Sequence, residues 1–107
     1  MSLQTNNKGV FYMKVCMADE NLYQMMDNLI PNPYTPNRWY ELNHKDFPKI
    51  YRYFGMRNRL GYIHIAKVRE GSKGIYLERF SFNKKHELKY GGASIESKTF
   101  IDIFENR

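Results

Sequence analysis

The chain has one cysteine, Cys16, in 107 residues. That excludes an internal disulfide framework and the paired cysteines of a zinc finger. Its setting, Phe11-Tyr12-Met13-Lys14-Val15-Cys16-Met17, points to a buried strand thiol in a reducing compartment. No apolar run approaches the roughly 18 residues that cross a bilayer, so no membrane partner is expected. The opening residues 1–8 lack the apolar centre of a signal peptide, and Met1-Ser2-Leu3 is consistent with an expression scar. Residues 1–8 are therefore set apart as a flexible N-terminal segment, with residues 9–107 as a single domain and a cytoplasmic location, or nuclear in a eukaryote.

Histidine is scarce too. His44, His64 and His86 stand at no ligand spacing, and the His-x-His pair of tyrosine-nucleophile nicking enzymes is missing. Asp102 and Glu105 sit three apart, the pattern of a solvated helix face. Gly71, Gly74, Gly91 and Gly92 form no Walker-type or dinucleotide loop. The expectation is no catalytic residue, no metal ligand and no cofactor, hence a protein that is not an enzyme.

What is present is charge, in one place. Residues 57–90 hold nine cations against Glu70, Glu78 and Glu87, and this is the whole net +6 of the chain. Tyr62, Tyr76, Phe80, Phe82 and Tyr90 are interleaved with those cations. Lys and Arg neutralise phosphates while aromatic faces stack unpaired bases, which is how sequence-tolerant single-strand binders work. The pattern nominates Lys67, Arg69, Arg79, Lys84, Lys85 and Lys89 as phosphate contacts, with Tyr76 and Phe80 as stacking rings. Trp39 beside Arg38 is a further stacking candidate, and Trp39 or Tyr40 is expected to be accessible. Most other rings between Tyr34 and Phe54 must be core, because a soluble monomer cannot expose them all.

The chain reads as a series of short elements. Gly9–Met17 has strand composition. Asp19 can cap a helix in which Leu22, Met25, Met26 and Leu29 share one face, and Pro31, Pro33 and Pro36 end it. Arg38–Leu42 is extended. Asp46 is expected to cap a second helix running through Phe47, Ile50, Tyr51 and Phe54 to Gly55. Residues 60–69 and 75–82 form an antiparallel hairpin around Glu70-Gly71-Ser72-Lys73-Gly74. His86–Tyr90 is a third strand, after which Gly91-Gly92 permits a bend or bulge before Ala93-Ser94-Ile95. Ser97 caps a last helix carrying Phe100, Ile101 and Phe104. The fold class is α+β: a mainly antiparallel sheet with two to three helices packed on one face. Its glycine-interrupted edge needs cover, which predicts a homodimer.

Ile75-Tyr76-Leu77-Glu78-Arg79-Phe80, then Asn83-Lys84-Lys85-His86-Glu87-Leu88-Lys89-Tyr90-Gly91, then Gly92-Ala93-Ser94-Ile95 and a closing helix follow a recognisable order. In this order residues 60–107 resemble the single-stranded-DNA-binding transcriptional coactivators of the positive-cofactor-four type. The chain departs from their pattern at His86, at Tyr90, in its inverted Glu78-Arg79 order and in its short last helix. The resemblance implies transcription regulation by a dimer that clamps single strands across curved sheets. Lys67, Arg69, Arg79, Lys84, Lys85 and Lys89 would then contact the backbone.

Three functions compete. The first is a non-enzymatic binder of single-stranded DNA or RNA. The second is a protein-interaction or assembly module using a basic face. The third is a small metal-independent ribonuclease toxin, which needs Arg, Lys and Tyr clustered in a cleft. Cations and exposed rings on one sheet face would favour the first, and scatter over both faces the second.

Overall fold

The structure is a computed structural model that describes residues 18–105. The expected first strand Gly9–Met17, with Cys16, and the segment 1–8 lie outside the described residues.

Helix α1, Asp19–Leu29, forms where the apolar spacing predicts it. Leu22 and Met26 are its fully buried positions, and Ile30 extends the stripe beyond the last turn. Asp19 does not cap the helix: Ala18 is the N-cap residue, and the Asp19 carboxylate accepts a bond from the Leu88 backbone N–H at 3.0 Å. The helix is thereby tied to a strand distant in sequence.

Five strands follow: β1 (Tyr40–Leu42), β2 (Arg52–Arg57), β3 (Ile63–Gly71), β4 (Gly74–Phe82) and β5 (Leu88–Glu96). They lie in chain order, each antiparallel to the next. The β3–β4 hairpin is the predicted one, closed by Gly71 opposite Gly74. It begins later than residue 60, because the Asn58 side chain accepts the Leu60 and Tyr62 N–H groups and folds 58–61 into a turn. In β5, Arg79 pairs with Gly92 and Phe80 with Tyr90, leaving Gly91 as the extra residue of a bulge. His86–Tyr90 and Ala93–Ile95, expected as separate pieces, are thus one strand.

The predicted helix from Asp46 to Gly55 does not exist. Residues 44–51 fold into turns, with the Phe47 N–H on the His44 carbonyl and the Tyr51 N–H on the Pro48 carbonyl. Residues 52–57 are β2. Tyr53 and Phe54 are adjacent yet both buried, which only a strand covered on both faces accommodates. Ile50, expected within that helix, is 66% exposed. Gly55 is no helix stop: a Cβ there would meet Leu42 Cδ1 at 2.8 Å, so glycine lets β1 approach.

The chain closes with a 3-10 turn at Lys98–Ile101 and helix α2, Asp102–Glu105. Ser97 is the residue before the turn, but its hydroxyl contacts that of Thr99 at 3.0 Å and makes no cap.

The fold is α+β, and the described residues form a five-stranded antiparallel sheet and two short helices. The helices do not share a face. Leu22 and Met26 of α1 join Ile63, Ile65, Phe80 and Phe82 in one cluster. Phe104 of α2 joins Phe54, Ala66, Val68 and Leu77 in another. Since strand residues alternate in direction, these clusters lie on opposite sides, here termed the α1 face and the α2 face. Among the described residues no helix is long and apolar enough to cross a membrane.

Candidate functional site

Ladder register assigns every strand side chain to a face. Lys67 pairs with Glu78 and Arg69 with Tyr76, all on the α1 face. Arg79 lies opposite Ala66 and Gly92, and Lys89 opposite Ser81, all on the α2 face. The predicted cations therefore fall on both sides of the sheet.

Lys67 is not available to a ligand. It is 4% exposed, its Nζ lies 3.6 Å from the Glu78 carboxylate and 4.1 Å from the centre of the Tyr51 ring. Burial pulls its ammonium below the usual lysine range, against the opposing pull of Glu78. Phe80 is also withdrawn. At 2% exposed it belongs to the core under α1, so its nomination as a stacking ring is overturned. Trp39 is half-buried edge-on against Phe104, their centroids 5.0 Å apart, so it packs the α2 face rather than offering an open platform.

Tyr76 is half-buried on the α1 face, with the Arg69 guanidinium 5.6 Å from its ring centre. Arg69 itself is exposed, as is Lys73 on the nearby turn. Cation and ring thus meet here, but on one ring only. Lys84 and Lys85 are exposed in the β4–β5 turn, close in sequence to Lys89. That turn is held by the Asn83 side chain, which accepts the Lys85 and Glu87 N–H groups. His86, at φ 66, stacks on Tyr23 with centroids 3.6 Å apart and meets Glu20 at 2.8 Å, fastening the turn to α1.

Arg57, another cation of the basic stretch, pairs with Asp27 and lies over Tyr34, so it too is structural. The exposed remainder is Arg79 and Lys89 on the α2 face, Lys84 and Lys85 in the β4–β5 turn, and Arg59 in the β2–β3 turn. The strand ring on this face is Phe54, and it is buried. Among the described strands, the exposed cations of the α2 face have no accessible ring beside them, whereas Arg69 on the α1 face has Tyr76.

No family model, curated protein or solved structure matches the chain.

The α2 face also carries His64, opposite Met56 and Ser81. Its Nε2 lies 3.3 Å from the Asn58 amide nitrogen, and burial lowers its pKa from the ordinary 6.5. The unfolded chain therefore takes up a proton below pH 6.5 that the folded chain resists. Stability should fall as pH drops from 6.5 towards the folded value. Urea unfolding at several pH values between 7.5 and 5 should show that decline, and His64→Gln should flatten it.

Two surface groups were not nominated from the sequence. Tyr90 and Ile95 are 59% and 63% exposed, both on the α1 face of β5. An odd separation normally puts two strand residues on opposite faces. The Gly91 bulge restores them to one side, and counting across that glycine pair was the signal available.

Proposed function

We propose that the chain is a non-enzymatic protein-interaction module that engages an acidic protein surface through Arg79 and Lys89 of its α2 face and Lys84 and Lys85 of the adjoining β4–β5 turn. The observation that carries this reading is the scatter of the strand cations over both sides of the sheet, with Arg69 on the α1 face and Arg79 and Lys89 on the α2 face. A single-strand binder needs cations and rings on one path, so that backbone and bases are held together. Here Arg79 and Lys89 sit on the α2 face, away from Tyr76 and Tyr90 on the α1 face, where Arg69 is the one exposed strand cation among the described residues. The ribonuclease reading gains no support either, because Lys67 is buried in its pair with Glu78.

Fluorescence anisotropy with labelled single- and double-stranded oligonucleotides, set against poly-glutamate, tests the proposal. Oligonucleotide binding should be weak and lost between about 50 and 200 mM salt, as for any polycation, and Tyr76→Ala should not change it. Poly-glutamate should compete, and the quadruple alanine variant of Arg79, Lys84, Lys85 and Lys89 should lose both interactions. Single-strand binding that survives about 200 mM salt and weakens in Tyr76→Ala would reinstate nucleic acid as the ligand.

A further inference from the structure

Strand β5 is the outer strand of the described sheet, and among the described residues its outer side is covered at one end, where the Asp19 carboxylate takes the Leu88 N–H. Residues 89–96 beyond it present an open backbone edge, among the described residues, beside exposed Tyr90 and Ile95. An open edge with apolar side chains is a template for another strand.

We propose that this edge pairs with the same edge of a second copy, antiparallel about a two-fold axis at Ala93. The argument is self-complementarity. With Gly91 left as the extra residue, as it already is against β4, each remaining position from 89 to 96 finds a partner pointing to its own face. Ala93 meets Ala93 of the partner subunit on the axis. Gly92 then meets Ser94 of the partner subunit, Tyr90 meets Ile95 of the partner subunit, and Lys89 meets Glu96 of the partner subunit. Tyr90 and Ile95 are on the α1 face, Lys89 and Glu96 on the α2 face, so every pair matches in side as well as chemistry. Small residues fall at the centre, apolar contacts flank them, and opposite charges close both ends.

The alternative registers are worse. Moving the axis to Gly92 or Ser94 sets Ala93 against Tyr90 or Ile95 and separates Lys89 from Glu96. Cross-strand pairing of an aromatic ring with a branched aliphatic chain, and of opposite charges, favours the axis at Ala93. The result joins the five described strands of each copy into one continuous sheet with closed symmetry. The surface is distinct from the basic α2 face apart from Lys89, and it is read without any other partner. Its failure and the failure of the proposed function are therefore separable.

Light scattering over a concentration series, with charge-swap variants, is the test. The expected mass is twice 12.9 kDa at high concentration. Lys89→Glu and Glu96→Lys singly should weaken the dimer by about tenfold or more, since each sets like charges opposite one another. The double swap should restore it. In a Cys16→Ser background, Ala93→Cys should form a disulfide-linked dimer on the axis, whereas Ser72→Cys at the distant hairpin tip should not. A mass of 12.9 kDa up to about 100 μM, with no Ala93→Cys cross-link, overturns the proposal. So does a dimer indifferent to both single charge changes and to Tyr90→Asp.

Discussion

Replacing Glu78 by alanine is expected to destabilise the protein by about 3–5 kcal/mol, because it strands the buried Lys67 ammonium without its counter-charge. The two side chains face each other across the central β3–β4 ladder, 5% and 13% exposed. Lys67 retains the Tyr51 ring at 4.1 Å, which offsets only part of the loss. The paired replacement Lys67→Met with Glu78→Leu should come within about 1–2 kcal/mol of the parent, or exceed it, since it removes both desolvation penalties together. Urea denaturation of the single and double variants reads both values. A Glu78→Ala variant as stable as the parent would mean that Lys67 is neutral in the fold.

Phe104→Ala should cost about 3–5 kcal/mol, although it lies in the last short helix. Its ring is 6% exposed and lies 5.0 Å from both Trp39 and Phe54, with Phe100 at 5.9 Å. It is the keystone of the α2-face cluster, and a cavity there reaches β2 directly. Ile103, its immediate neighbour, is exposed, so Ile103→Ala should change stability by less than about 0.5 kcal/mol. Thermal melts of the two variants separate burial from mere proximity to the chain end. The Trp39 fluorescence should shift in the first variant and hold in the second.

The elements with unambiguous local signals were legible. The spacing of Leu22, Met25, Met26 and Leu29 allowed only a helix, and Gly71 and Gly74 marked the hairpin between two β-branched runs. Gly91-Gly92 marked the bulge. Tyr51-Arg52-Tyr53-Phe54 was not legible, since a strand buried on both faces loses the alternation that would distinguish it from a helix. Asp46 strengthened the wrong choice by supplying a plausible helix start. The candidate site failed for a related reason. Charge along a chain shows how many cations a segment has, while register decides which side each one reaches. Lys67 and Arg79 are an even number apart along the chain, yet they point to opposite faces because a turn lies between them. Tyr76 and Phe80 did share a face, as alternation requires, but α1 covers the second and leaves the first at its margin.

The serial order of the strands has a kinetic meaning. Each ladder joins neighbours in sequence, so the sheet can grow hairpin by hairpin with little loop closure to overcome, a topology associated with rapid folding. Helix α1 is the exception. Its apolar stripe rests on Phe80 and Phe82, and its first residue is bonded to Leu88, all from the far half of the chain. During synthesis α1 emerges before the five described strands and finds its seat after them. Until β4 and β5 leave the ribosome, Leu22, Met26 and Ile30 remain an uncovered apolar stripe, the part of the nascent chain most open to capture by a chaperone.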